Sequence, residues 1–159
     1  MNNEERFVQI VREQRQTIYT VCYMFAKEKE EVDDLFQETL INLWKGIDAF
    51  RNESKVSTWV WRVALNTCIS ADRKKKARGE TVPLSMNINL YSDSDEKSLQ
   101  IQQLHKRIGR LGLVDRAIIL LWLDNLSYDE IGAIVGISAK NVSVKLVRIR
   151  EQLKQMSND

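Results

Sequence analysis

Between Leu126 and Leu153 the chain reads Leu-Ser-Tyr-Asp-Glu-Ile-Gly-Ala-Ile-Val-Gly-Ile-Ser-Ala-Lys-Asn-Val-Ser-Val-Lys-Leu-Val-Arg-Ile-Arg-Glu-Gln-Leu, which is the grammar of a helix-turn-helix. Ser127 is an N-cap candidate, and Glu130 three residues on completes a capping box. Ile131, Ile134 and Val135 supply one apolar face at helical spacing. Gly136 suits a turn with positive φ, and Ser138 caps the next helix. There Val142, Leu146, Ile149 and Leu153 share one side at about 100° per residue, while Lys140, Asn141, Val144, Val147 and Arg148 share the other. A short helix with a buried stripe and a face of small, amide and basic residues suits a DNA major groove. An ordinary helical hairpin with solvated Lys and Arg has the same caps and turn, so the N-terminal half has to decide.

One Pro and six Gly in 159 residues leave little to interrupt helices, and an all-α fold is expected. Cys22 and Cys68 lie on apolar-periodic segments without a partner at metal spacing, and read as buried free thiols. The first residues, Met-Asn-Asn-Glu-Glu, lack a basic region followed by an apolar run, and no apolar stretch is long enough to span a bilayer. The expectation is a cytoplasmic protein without membrane insertion.

The net charge of +2 is uninformative, but its distribution is not. Residues 28–38 carry six acidic side chains against Lys29, a net of −5. Residues 62–78 carry six basic side chains against Asp72, a net of +5, and residues 138–154 carry five against Glu151, a net of +4. Two basic stripes and one acidic patch predict two nucleic-acid contacts and one basic protein partner.

Apolar positions Phe7, Ile10, Val11, Ile18, Cys22 and Phe25 mark a first helix; Leu35, Thr39, Leu40, Leu43, Trp44 and Ile47 mark a second. A polar connection, Arg51 to Lys55, leads to a third helix from about Ser57 to Lys76. From Gly79 to about Glu96 the periodicity fails among Gly, Pro83, Ser, Asn and Asp, the composition of a flexible linker. It returns at Ile101, Leu104, Ile108 and Leu111, then in the apolar run Ala117 to Leu123. The expected architecture is two small helical domains, 1–78 and 98–159, joined by a linker over 79–97.

On the third helix, Val60, Trp61, Ala64, Thr67, Cys68 and Ala71 gather on a core side. Trp59, Arg62, Asn66, Ser70 and Arg73 fall within about 80° of one another on the other. An aromatic ring, an amide and two guanidiniums followed by Lys74, Lys75 and Lys76 suit single-stranded or distorted DNA. Trp59 is equally readable as a core ring, and the lysines as cations complementing a helix end.

Two segments, Asp34 to Trp44 (DLFQETLINLW) and Ser57 to Asn66 (STWVWRVALN), resemble conserved region two of the extracytoplasmic-function (ECF) sigma factors. The C-terminal helix-turn-helix resembles their region four, in the right order and with a linker between. The resemblance implies a sigma factor that binds core RNA polymerase and directs promoter-specific initiation, without catalysis, cofactor or metal. The second helix, through Asp34, Gln37, Glu38, Ile41 and Asn42, would dock on the clamp helices of the largest subunit. Region four would meet the flap of the second-largest subunit. The minus-ten element would be held by Phe50, Ser54, Lys55, Trp59, Arg62, Asn66, Arg73, Lys74 and Lys75, with Phe50 and the loop to Lys55 flanking an extruded base that Asn66 reads. The minus-thirty-five element would meet Ser138, Lys140, Asn141, Val144, Lys145, Val147 and Arg148. An anti-sigma factor is a common partner in the family and would cover the polymerase-facing surfaces. Two departures stand out: apolar Val144 and Val147 on the groove side, suited to thymine methyls, and Gly132 where the family usually has Ala, at about 1 kcal/mol of helix stability.

Two other readings compete. A dimeric helix-turn-helix regulator binding duplex operator DNA explains the C-terminal half but leaves the Trp59/Arg62/Asn66/Arg73 face without a use. A magnesium enzyme could use Glu30, Glu31, Asp33, Asp34 and Glu38, but needs converging carboxylates from a second helix, which the sequence does not offer. His105 has no candidate nucleophile near it in sequence, and no Gly-rich phosphate loop is present.

Overall fold

Asn2, Ser127 and Ser138 each cap a helix start by accepting the backbone amide three residues on. The structure, a computed structural model, describes residues 2–51, 54–79 and 96–156. Among these the chain forms seven helices: α1 Asn3–Phe25, α2 Lys29–Gly46, α3 Val56–Ala77, α4 Glu96–Gly109, α5 Leu113–Leu123, α6 Tyr128–Val135 and α7 Ala139–Gln155, with no strand. They divide into two compact units, α1–α3 and α4–α7. Most of the expected linker, residues 80–95, lies outside the described residues.

In the first unit α1, α2 and α3 all pack on one another. Their core holds Ile18, Val21, Met24, Leu43, Ile47, Val60 and Ala64, and each fully buried Ile, Leu, Val or Met side chain contributes about 1.5–3 kcal/mol. Polar groups in this core are satisfied locally. Thr39 Oγ1 donates to the Leu35 carbonyl at 2.7 Å, and Thr67 Oγ1 donates to that of Val63 at 2.8 Å. Cys22 and Cys68 are both buried and free, as expected, and the fold brings them together. The hydrogen bond with Cys22, then burial, push the Cys68 thiol well above its ordinary range. That same hydrogen bond draws Cys22 down against the effect of burial.

Trp44 departs from expectation. The sequence pattern puts it on the apolar stripe with Leu35, Thr39 and Leu43, but the residue is 47% exposed and its ring meets Phe7 edge-on, centroids 5.4 Å apart. At 100° per residue Trp44 lies about 180° from Leu35, so only a helix buried all round would have covered it.

In the second unit the cap chemistry read from the sequence is realised in full. Ser127 and Glu130 form both halves of the capping box, Gly136 ends α6 at φ 86°, and Ser138 Oγ accepts the Asn141 amide at 3.1 Å. Gly132 is drawn tightly against the turn. A Cβ there would stand 2.4 Å from the Ile137 carbonyl oxygen, so the missing side chain permits this close approach. Val142, Leu146, Ile149 and Leu153 are all buried, which fixes the rotation of α7.

Arg116, 4% exposed, donates through Nη2 to the carbonyls of Gly109 and Leu111 at 3.0 and 2.8 Å. It closes the α4–α5 turn from inside. Arg116→Met is expected to destabilise the protein by about 2–4 kcal/mol, because two carbonyls lose a charged donor. Urea unfolding checks this, and a loss below about 0.5 kcal/mol, the range of an indifferent surface change, would remove Arg116 from the account.

Candidate functional site

Two faces of the first unit meet along one groove. Asp34, Gln37, Glu38 and Ile41 of α2 all face outward, Ile41 being 46% exposed. Asn42, expected beside them on the solvent face, is half-buried instead, its Nδ2 donating to Thr67 Oγ1 of α3 at 2.9 Å. The helical wheel explains the difference: Asn42 lies only about 20° from Leu35, at the edge of the buried stripe. Trp44, a core residue by its type, joins Ile41 on the outer face. The signal was available in its wheel position. The resulting surface is two exposed apolar groups rimmed by carboxylates, a composition that fits a basic helical partner.

On α3, Asn66, Ser70, Arg73 and Lys74 are exposed and Arg62 is half-buried, so the expected polar face exists. A groove of about 460 Å³ runs between Glu38 and Asn42 on one wall and Asn66, Ser70 and Lys74 on the other. The acidic face of α2 and the amide-and-cation face of α3 are thus neighbours.

Three expected minus-ten residues have other engagements. Phe50 is 8% exposed and stacks on Trp59, with ring centroids 4.6 Å apart and planes within 15°. Its ring packs into the fold and does not stand open to flank a base. Trp59 is half-buried, one ring face taken by Phe50 and its Cζ2 edge lying against Gly46, so the core reading accounts for much of it. Lys75 pairs with Glu31 at 2.7 Å, and Glu31 also accepts the backbone amide of Lys27 at 3.0 Å. On the wheel Lys75 lies about 180° from Asn66, which is why it turns to α2 and away from the polar face. Lys76 pairs with Asp72 at 3.2 Å, so the basic run is partly neutralised within the unit. Ser54 is half-buried and Lys55 exposed at the start of α3; Asn52 and Glu53 of the same loop lie outside the described residues.

In the second unit Lys140, Asn141, Val144, Val147 and Arg148 are exposed on one side of α7. Ser138 sits at its start, with its hydroxyl committed to the cap. Lys145, expected among the DNA contacts, is half-buried and reaches Asp115 of α5 at 3.5 Å. Arg150 lies over the Trp122 ring at 5.1 Å, a cation–π contact. His105 is half-buried, and burial lowers its pKa, which disfavours its charged form. Among the described residues no group of His, Cys, Asp or Glu is arranged to hold a metal ion, and no helix is long and apolar enough to cross a membrane.

An acidic helix lies beside an amide-and-cation helix, with a capped helix-turn-helix in a separate unit, the arrangement that the resemblance to sigma factors implies. The Sigma-70 region 2 family matches residues 10–78 and the Sigma-70 region 4 family matches residues 101–153. The chain is 31% identical to the ECF RNA polymerase sigma factor SigW of Bacillus subtilis, over 99% of this chain and 91% of that protein. It is 23% identical to the ECF sigma factor SigM of Mycobacterium tuberculosis, over 94% of this chain and 76% of that one. The chain belongs to the ECF sigma factors. Its fold is similar to that of the sigma factor RpoE, solved with the anti-sigma factor NepR from Bartonella quintana: TM-score 0.80, 21% identity, 95% of this chain and 96% of that one. It is also similar to CnrH, solved with the cytosolic domain of CnrY, with TM-score 0.66, 22% identity, and coverage of 96% and 88%.

Proposed function

We propose that this chain binds core RNA polymerase in the cytoplasm and directs it to promoters, without catalysing a step itself. The observation that carries this reading is the exposed Asn66–Arg73 face of α3 beside the acidic face of α2. A protein that only grips duplex DNA has no use for that pairing. In this reading residues 1–78 act as region two, residues 98–159 as region four, and residues 79–97 join them.

Asp34, Gln37, Glu38, Ile41 and Trp44 meet the clamp helices of the largest subunit. Arg62, Asn66, Arg73 and Lys74 hold the non-template strand of the minus-ten element as it opens: cations take phosphate and the amide takes a base edge. Unstacking a base costs a few kcal/mol, which contacts to the extruded base offset. In region four, Lys140, Asn141, Val144, Val147 and Arg148 enter the major groove of the minus-thirty-five element, while the unit also meets the polymerase flap. Of the two proteins of similar fold, RpoE is in complex with the anti-sigma factor NepR and CnrH with the cytosolic domain of CnrY. Such a partner for this chain would cover the Asp34–Trp44 face.

Run-off transcription from a random promoter library, with core polymerase and with or without the chain, tests the reading. Specific initiation that depends on the chain is the expected result; transcripts indifferent to it would exclude the reading. Arg148→Ala is expected to weaken duplex binding by the holoenzyme and to lower the slope of log affinity against log salt by about 1, if Arg148 meets a phosphate. Filter binding across a salt series measures it, and a variant with wild-type affinity at every salt concentration would mean that α7 presents another side.

A further inference from the structure

Val147 is 68% exposed, the highest value among the exposed large apolar side chains of the described residues, and Val144 one turn earlier is 42% exposed. Both are turned outward by the buried stripe Val142, Leu146, Ile149 and Leu153. A solvated helix face ordinarily carries Lys, Arg, Gln or Glu, which are better helix formers than β-branched Val. Two neighbouring cations are drawn aside, Lys145 to Asp115 and Arg150 to the Trp122 ring. Lys140, Asn141 and Arg148 remain around the two valines. Glu151, within about 40° of both on the wheel, ends this side with a carboxylate that repels phosphate. The contact is therefore confined to the first turns of α7, with an apolar centre that has nothing to offer a hydrogen-bonding base edge.

The apolar feature of the major groove is the thymine C5 methyl group. We infer that Val144 and Val147 read thymine methyls, and that the duplex element chosen by this chain places thymines under them. The two residues are about 4.5 Å apart along the helix axis, close to the spacing of neighbouring base pairs at about 3.4 Å. Lys140 and Arg148 hold the phosphates on either side. A protein partner fits this patch less well, because valine is under-represented among interface hot spots and these two are ringed by charge. The inference rests on region four reading duplex DNA, as proposed above.

Deoxyuridine tests it, since it keeps every hydrogen-bonding group of thymine and lacks only the methyl. Holoenzyme reconstituted with core polymerase is bound to a library-selected duplex in which each thymine of the upstream element is replaced in turn. At one or two neighbouring positions the wild-type holoenzyme should lose about fourfold in affinity per methyl, the worth of one buried methyl-sized group. Val147→Ala should bind thymine and deoxyuridine about equally at one of these positions, and Val144→Ala at the other. Both variants keep the fold, since Ala favours helix and neither site is in the core. Insensitivity of the wild type to every replacement, or full sensitivity in both variants, overturns the inference. Weaker retention of the variants by core polymerase without DNA overturns it in favour of a protein contact. A wild-type holoenzyme that prefers no selected duplex over mixed sequence defeats the proposed function itself, which separates the two failures.

Discussion

Asp34→Lys combined with Glu38→Lys is expected to abolish retention of the chain by core RNA polymerase. Both side chains are exposed on α2 around Ile41, so reversal replaces two attractions with two repulsions opposite a basic partner. The expected loss in affinity is at least about 100-fold, since like charges across an interface cost several kcal/mol and each 1.4 kcal/mol is tenfold. The fold should be indifferent, because neither carboxylate lies in the core. Circular dichroism and the unfolding midpoint should match the wild type, and a pull-down should not recover the variant. A variant that folds normally and is still retained would remove α2 from the polymerase contact.

That face also illustrates what a sequence reveals and what it withholds. The caps at Ser127 and Ser138 and the turn at Gly136 were legible because each depends on atoms within four residues of itself. The stripe of α7 was legible for a similar reason: four apolar residues at one wheel angle admit one buried side. At Trp44 and Asn42 residue type and wheel angle point opposite ways: type sends the ring to the core and the amide to solvent, and the wheel angle, which prevails, does the reverse. The wheel angle turns Lys75 off the polar face, but its pairing with Glu31, like those of Phe50 with Trp59 and Lys145 with Asp115, is not written in the periodicity. Each depends on where two distant backbones come to lie, which periodicity does not encode. The same holds for Cys22 and Cys68, whose separation in sequence hides their adjacency.

The second large effect concerns Asn66, the exposed amide in the groove between α2 and α3. Asn66→Ala should leave polymerase binding and closed-promoter binding unchanged, because in the proposed function Asn66 meets DNA only after a base leaves the stack. Heparin-resistant open complexes should fall roughly 5- to 150-fold, the range corresponding to about 1–3 kcal/mol for an amide reading a base edge. A template with a pre-melted bubble separates opening from reading. It supplies the unstacking energy but not the lost hydrogen bonds, so Asn66→Ala should stay impaired on the preferred base and discriminate poorly against the other three. Trp59→Ala is a contrasting variant: with its ring stacked on Phe50 and lying against Gly46, its loss should lower stability as well as opening. Wild-type opening and full base preference in Asn66→Ala would take base reading away from α3.

The most direct test of the central claim is permanganate reactivity of thymines in a linear, fully paired promoter. Permanganate oxidises thymines that have left the stack and spares those in duplex. Core polymerase alone and the chain alone should each leave the promoter unreactive, while the two together should expose thymines from the minus-ten element downstream. Protection of the duplex by the chain alone, with no reactive thymine when polymerase is added, would contradict the account and describe an operator-binding protein instead.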